Sequence, residues 1–346
     1  MIRLRALVVA AGTTGWALAL SAQTTAPGSP GRVDTLRSVR GLPVEVVGEF
    51  REPIGFERVA SGQELVFDRR GHAVYGIGPG LGPSRKLVAI GGEDGRVLEP
   101  TAFDADPGGT FVVADAPNGR ERVQIFTSEG QRAGGFALPG RALPRVTLGT
   151  LSLSGIGTLH YTGRSVLISQ PETGGLMTEY GLAGTPVRTI GRLRATGHEA
   201  DRELHLALNA GIPLKGPDGG YWFVFLAGEP AFSRFDANGA LLFHRAIQGR
   251  ELDPVIAALP GTWPRRAIEG TEVPLVSPTI RTAALAPSGE LWVSFVVPYT
   301  YVFDGLGEKV RTVQFVAAGL VAPNSLTFPS ATRLLVTPGC YEFATR

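Results

Sequence analysis

The sequence predicts an all-β chain built as a closed ring of six four-stranded sheets, the six-bladed β-propeller. Three observations predict it: a strand–turn module recurs along the chain, its turns keep a fixed order, and an orphan segment near the N-terminus can supply the one strand the last copy lacks. The clearest copy runs from Thr101 to Phe136. TAFDADPGGTFVVADA gives strand, Asp-Pro-Gly-Gly turn and strand, and RVQIFTSEGQRAGGF gives strand, Ser-Glu-Gly turn and strand. Apolar, β-branched or aromatic runs bounded by such turn residues are hairpin signals.

The first turn of the module reads at Asp68 to Gly71, Asp106 to Gly109, Tyr161 to Gly163, Asp218 to Gly220, Pro287 to Gly289 and, degenerately, Pro329 to Ala331. An apolar strand follows each: AVYGI, FVVAD, SVLIS, YWFVF, LWVSF and LLVTP. The second turn reads at Asp94-Gly95, Glu129-Gly130, Ala183-Gly184, Asn238-Gly239 and Leu306-Gly307. The sixth copy stops after its third strand, CYEFATR, and LPVEVVGEF (Leu42 to Phe50) is the orphan expected to complete it. Such pairing of an N-terminal strand into the C-terminal blade removes the open sheet edges of a linear array.

Length alone, at about 150 residues per domain, suggests two domains. The repeat overrides that and gives one domain over 42–346. With 43% hydrophobic and 18% charged residues the chain has ample core material, and its 47 Gly and 26 Pro suit a fold with many tight turns.

Residues 1–22 read as a signal peptide. Arg3 and Arg5 form a basic start, Ala6 to Leu20 is apolar apart from Thr13 and Thr14, and small residues follow at Ala19, Ser21 and Ala22. The apolar run is short for a membrane span, a retained anchor being the alternative to cleavage. Residues 23–41, polar and rich in Pro and Gly at the start, read as a flexible lead-in. The expected location is periplasmic or extracellular, with no membrane span in the mature chain. Removing Arg3 and Arg5 from 33 basic residues leaves 31, equal to the 31 acidic ones. That balance argues against nucleic acid as a partner. The only cysteine, Cys340, has no partner for an internal disulfide and reads as a small buried hydrophobe.

One copy carries a family resemblance. FDADPGGTFVVADAPNGRERVQIFTSEGQ resembles an NHL repeat, with an acidic turn, a V-A-D strand end and an R-V-Q-x-F strand. The whole is similar to the wider group of six-bladed propellers, which includes lactonases, quinoprotein sugar dehydrogenases and binding proteins, so the fold leaves the function open. Ala322-Pro323-Asn324-Ser325-Leu326 resembles the P-N-G-L segment of gluconolactonase-like propellers, with Ser325 in place of Gly. That likeness implies a central metal, Ca²⁺, facing Asn324, with Asn209 of ALNAG placed comparably. The carboxylates such a site needs are not identified in the sequence.

Extra length falls on one face. First turns lie 38 residues apart between Gly71 and Gly109, but 57 between Gly163 and Gly220 and 69 between Gly220 and Gly289. The insertions at 192–209 and 248–279 belong to the face of the blade connections, where long loops on a rigid scaffold commonly form binding sites. The first should hold a helix starting at Thr196 or Gly197, with His198, Asp201 or Arg202, and His205 on one side. Either His198, Asp201 and His205 hold a metal, or the helix is a surface element laced by ion pairs. The second has a helix start at Asp253-Pro254, with Asp253 as cap. Trp263, Arg265 and Arg266 follow it. They could hold an anionic or sugar-like ligand; alternatively Trp263 packs the insertion down and the arginines are solvated. Asp115, Asn118, Arg120 and Arg122 add polar groups, Asp115 reading first as a bonder of loop amides and second as a ligand contact. His160 lies on an inner strand, where a base could face the channel or a histidine could sit satisfied.

No nucleophile elbow or phosphate loop is present. The leading expectation is a monomeric, exported scaffold that binds a protein or small molecule through the insertion face, without cofactor, using Trp263, Arg265, Arg266, His198, Arg202, Asp115 and Arg120. The alternatives are a metal-dependent, lactonase-like hydrolase or lyase at the central channel and a quinoprotein dehydrogenase.

Overall fold

The structure, a computed structural model, describes residues 33–148, 151–268 and 271–345. The segment read as signal peptide, and the lead-in as far as residue 32, lie outside the described residues. Four antiparallel four-stranded sheets follow in chain order. The first holds Pro53–Arg58, Glu64–Asp68, Ala73–Ile77 and Arg85–Val88; the second, Ala102–Asp106, Thr110–Asp115, Arg122–Thr127 and Arg132–Ala137. The third holds Leu159–Tyr161, Ser165–Ser169, Gly175–Gly181 and Pro186–Arg192; the fourth, Gly211–Lys215, Tyr221–Phe225, Ala231–Phe235 and Leu241–Ala246. An eight-stranded sheet completes the set. Its order is Ile280–Leu285, Leu291–Phe295, Thr300–Phe303, Lys309–Val316, Val33–Gly41, Tyr341–Ala344, Arg333–Thr337 and Ser325–Ser330.

Each sheet is covered on both faces by its neighbours, and this explains the continuous apolar runs of the second strands. Glu64–Asp68, Ser165–Ser169, Tyr221–Phe225 and Leu291–Phe295 are buried along their whole length. Core clusters join consecutive sheets: Phe67 with Phe111, Val112 with Ile168, Leu167 with Phe223, Trp222 with Phe295. Trp292 packs with Leu334 inside the eight-stranded sheet, and Leu335 with Phe56 and Val66 returns to the first. Burial of these side chains, at about 25 cal/mol per Å² of apolar surface, is the main stabilising force.

Two expectations are corrected. The closing strand is Val33–Gly41, not Leu42 to Phe50. It pairs parallel with Lys309–Val316 and antiparallel with Tyr341–Ala344. It takes the last nine residues of the stretch read as flexible lead-in. Leu42 to Phe50 instead contains a helical turn, Val44–Val47, after Pro43. Leu42, Val46 and Phe50 are buried together against the first sheet, a spacing of four that suits a helix face. The second correction concerns the first sheet. Asp68 to Gly71 joins its second and third strands, and the first turn is Ala60 to Gly62, where Gly62 has φ +83° and donates its N–H to the Val59 carbonyl at 2.8 Å. Asp94-Gly95 accordingly falls in the connection to the second sheet.

An ion-pair network ties the closure. Arg58 Nη2 donates to Glu64 Oε1 at 2.7 Å and to Glu342 Oε2 at 2.6 Å. Arg40 of the closing strand donates through Nε to Glu342 Oε2 at 3.1 Å and also bonds Glu64. Cys340 is buried beside it, where burial pushes its thiol far above the ordinary range. Among the described residues no helix is long and apolar enough to cross a membrane.

A candidate ligand site in the central cavity

A cavity of about 1070 Å³ is lined by the first strand of every four-stranded set, from Glu57, Asp104 and His160 round to Lys215, Thr282 and Thr327. The insertions form its other end. Helix Arg202–Leu208 contributes Arg202, Leu206 and Ala207, and the hairpin of Arg265–Ile268 with Thr271–Pro274 contributes Ile268, Val273 and Pro274. The channel mouth and the insertion face, two separate candidates in the sequence, thus bound one cavity. Its walls are largely apolar, including Leu206, Val276, Ile212, Leu214 and Ile280.

The roof is fixed by buried polar contacts. Arg194 lies 4.1 Å from the Phe225 ring centroid and donates to the carbonyls of Leu208 at 3.0 Å and Ala227 at 2.8 Å. Burial lowers its guanidinium to about 10, against the charge of Glu229. Asn209 is fully buried; Oδ1 accepts the Arg194 N–H, and Nδ2 donates to the carbonyls of Arg194 and His205. Its amide, named in the sequence as a possible metal ligand, is thus engaged by backbone. Glu199 accepts the N–H groups of Thr196 and Gly197, and Gly197 has φ +75°. The turn they make delays the helix to Arg202, with Asp201 as cap accepting the Leu204 N–H at 3.2 Å. In the second insertion the cap of helix Asp253–Ala257 is Leu252, and Asp253 is already helical.

The other named residues separate. Trp263 is buried with Leu204, Leu208, Ala227 and Val276, joining the two insertions. Arg265 bonds Asp201, which holds that carboxyl below its usual range. His205 Nδ1 meets Thr196 Oγ1 at 2.8 Å, and His198, Asp201 and His205 do not form a metal-holding group. Arg266 is exposed on the same hairpin. Asp115 is fully buried, accepting the Leu98 N–H at 2.9 Å and Arg122 Nε at 2.7 Å. Arg120 is exposed near a separate shallow pocket with Asn118. Of the predicted ligand-binding set, Arg202 alone lines the cavity. Asn324 lines it too, its Oδ1 accepting from Arg281 Nη1 at 2.7 Å. Among the described residues no group of three or more His, Cys, Asp or Glu is placed to hold a metal ion. With Asn209 committed to backbone and Asn324 to Arg281, the residues present do not fit the Ca²⁺ site that the lactonase-like likeness implies.

The floor holds the residues that carry chemistry. Asp104 Oδ2 lies 2.9 Å from His160 Nδ1 and accepts the Tyr161 N–H at 2.6 Å, while Oδ1 accepts the Ala105 N–H at 3.0 Å. Glu57, on the neighbouring strand, hydrogen-bonds Asp104 and accepts from Thr327 Oγ1 at 3.2 Å. Burial first, and then the charge of Asp104, push the Glu57 carboxyl well above the usual carboxylate range, against the Thr327 bond. Its protonated form therefore persists to higher pH than that of a solvated carboxyl. Neither carboxylate stands out in the sequence: placing the first turn at Asp68 to Gly71 leaves Glu57 unassigned to an inner strand, and Asp104 lies in the strand two residues before the Asp106 to Gly109 turn.

No family model matches the sequence, and no curated protein matches it. A solved structure of a streptogramin B lyase is similar, with a TM-score of 0.50 and 11% identity, over 83% of this chain and 76% of that one. The chain is a β-propeller. At that identity the likeness speaks for the propeller fold alone, and the sheets, joined face to face by their apolar clusters, agree with it.

Proposed function

We propose that this propeller is an exported, monomeric ligand-binding protein that takes a small, largely apolar molecule into its central cavity through the insertion face. The carrying observation is the cavity itself: about 1070 Å³, with a mostly apolar lining and both insertions contributing to one end. Sites of this kind hold drug-sized molecules, with a few polar groups fixing orientation. We count six NHL-like blades by dividing the eight-stranded sheet at the parallel pairing of Val33–Gly41 with Lys309–Val316, which makes the closing strand the fourth of the last blade. Export rests on the basic, apolar and small-residue order of residues 1–22.

Titration with Nile red, a neutral apolar dye, tests the reading. The wild type should bind it saturably. Leu206→Arg, which puts a charged chain into the wall, should weaken binding about tenfold or more at an unchanged melting temperature, a loss of ~1.4 kcal/mol. Leu242→Arg, on an exposed outer strand, should leave it unchanged. Equal affinity in wild type and Leu206→Arg, or loss in Leu242→Arg alone, contradicts the reading.

A further inference from the structure

We propose that His160 and Glu57 form an acid–base pair that shifts a proton on a carbon next to a carbonyl group of the bound molecule, with Asp104 as the positioning residue between them. The inference rests on the cavity being the ligand site. Four adjoining inner strands bring Glu57, Asp104, His160 and Thr327 to one floor. Asp104 faces His160 Nδ1, so in the neutral ring the proton sits there and Nε2 offers a lone pair. Among the described residues no protein group bonds Nε2, and the ring lines the cavity. Asp104 cannot turn away, since the N–H groups of Ala105 and Tyr161 hold both its oxygens.

Glu57 supplies the other half. Burial and Asp104 raise its carboxyl, and in its protonated form Glu57 can pass the proton it shares with Asp104 to a carbonyl oxygen as negative charge develops there. The step balances within these groups. His160 Nε2 takes the proton from carbon; the C–H pair forms the C=C bond; the carbonyl π pair moves to oxygen, which takes the proton of Glu57. In the return step the enol O–H proton goes back to Glu57, and His160 delivers its proton to the same carbon or to a conjugated one. No co-reactant is needed. Thr327 spends its hydroxyl on Glu57, and the chemistry requires neither a nucleophile nor water in an apolar-walled cavity. The substrate class is an apolar ketone or aldehyde with hydrogen on the adjacent carbon.

The test uses 2-tetralone in D₂O, following exchange of its α-hydrogens by NMR, with displacement of bound Nile red reporting binding separately. The wild type should exchange the ketone at least about 100-fold faster than the same concentration of free imidazole. His160→Gln should lose about tenfold or more of that rate, with 2-tetralone displacing dye as before, and added imidazole should restore part of the rate in His160→Gly. Glu57→Gln should lower the rate without changing displacement. A ketone that displaces the dye but exchanges no faster than with imidazole, or equally fast in His160→Gln, overturns the inference and leaves the ligand reading intact. No displacement of dye by the ketone, or no binding of dye by the wild type, overturns the inference; the second result overturns the ligand reading as well.

Discussion

A chain beginning at Leu42 should melt at least about 15 °C below one beginning at Arg32, or self-associate where the longer one does not. Deletion removes the one strand that pairs both with Lys309–Val316 and with Tyr341–Ala344. Two sheet edges are then left open, each a template for pairing with another chain. The deletion also takes Arg40 from Glu342 and Glu64, the latter buried to 1% exposure. Thermal denaturation and size-exclusion chromatography read the result. A truncated chain that melts within about 3 °C of the longer one would show that the ring does not depend on this strand.

Arg58→Met should cost about 3 kcal/mol, roughly 5 °C in melting temperature for a chain of this length, because Glu64 and Glu342 would keep buried charges with one partner fewer. The loss should depend on pH in a defined direction. Burial opposes ionisation of Glu342, but the hydrogen bond and charge of Arg58, with Arg40, hold its carboxyl below the usual range. A depressed carboxyl adds stability above its unfolded value of about 4.3, and that stability is lost as pH falls through the folded value. The gap between wild type and Arg58→Met should therefore be full at pH 6–7 and narrow below about pH 4. Melting curves across that range check it; a gap independent of pH would mean that the arginine acts through its aliphatic stem rather than its charge.

The elements legible in the sequence are those buried on both faces. FVVAD, SVLIS, YWFVF and LWVSF cannot avoid continuous apolar runs, and the turns before them need Gly, Asp or Pro for their backbone angles. The closing strand was not legible for the opposite reason. VDTLRSVRG alternates half-buried with exposed positions and follows a Pro- and Gly-rich stretch. Its neighbour LPVEVVGEF carries three valines that read as strand, while the spacing of Leu42, Val46 and Phe50 was the available signal of a helical turn. The first turn of the first sheet, Ala-Ser-Gly, lacks the Asp or Pro that most of its counterparts carry, while Asp68 to Gly71, one strand further on, has the Asp.

That one-strand offset hid half of the site. Residues that meet at the axis come from corresponding positions of different modules, so locating them requires strand register and not motif content. His160 was visible as an inner-strand histidine, but its partners Asp104 and Glu57 are 56 and 103 positions away. The insertion face, by contrast, was legible from spacing alone, because added length must leave the sheets somewhere. Trp263, the most conspicuous side chain there, lies in the roof's own core against Leu204 and Leu208, so the cavity offers Leu206 and Ala207 to a ligand instead.

Hydrogen–deuterium exchange with and without saturating Nile red locates the ligand most directly. The account predicts added protection in helix Arg202–Leu208, the hairpin at 265–274 and the first strands bearing Glu57, Asp104 and His160. Protection confined to the short turns at 106–109, 218–220 and 287–289, or to the outer strands, would contradict it.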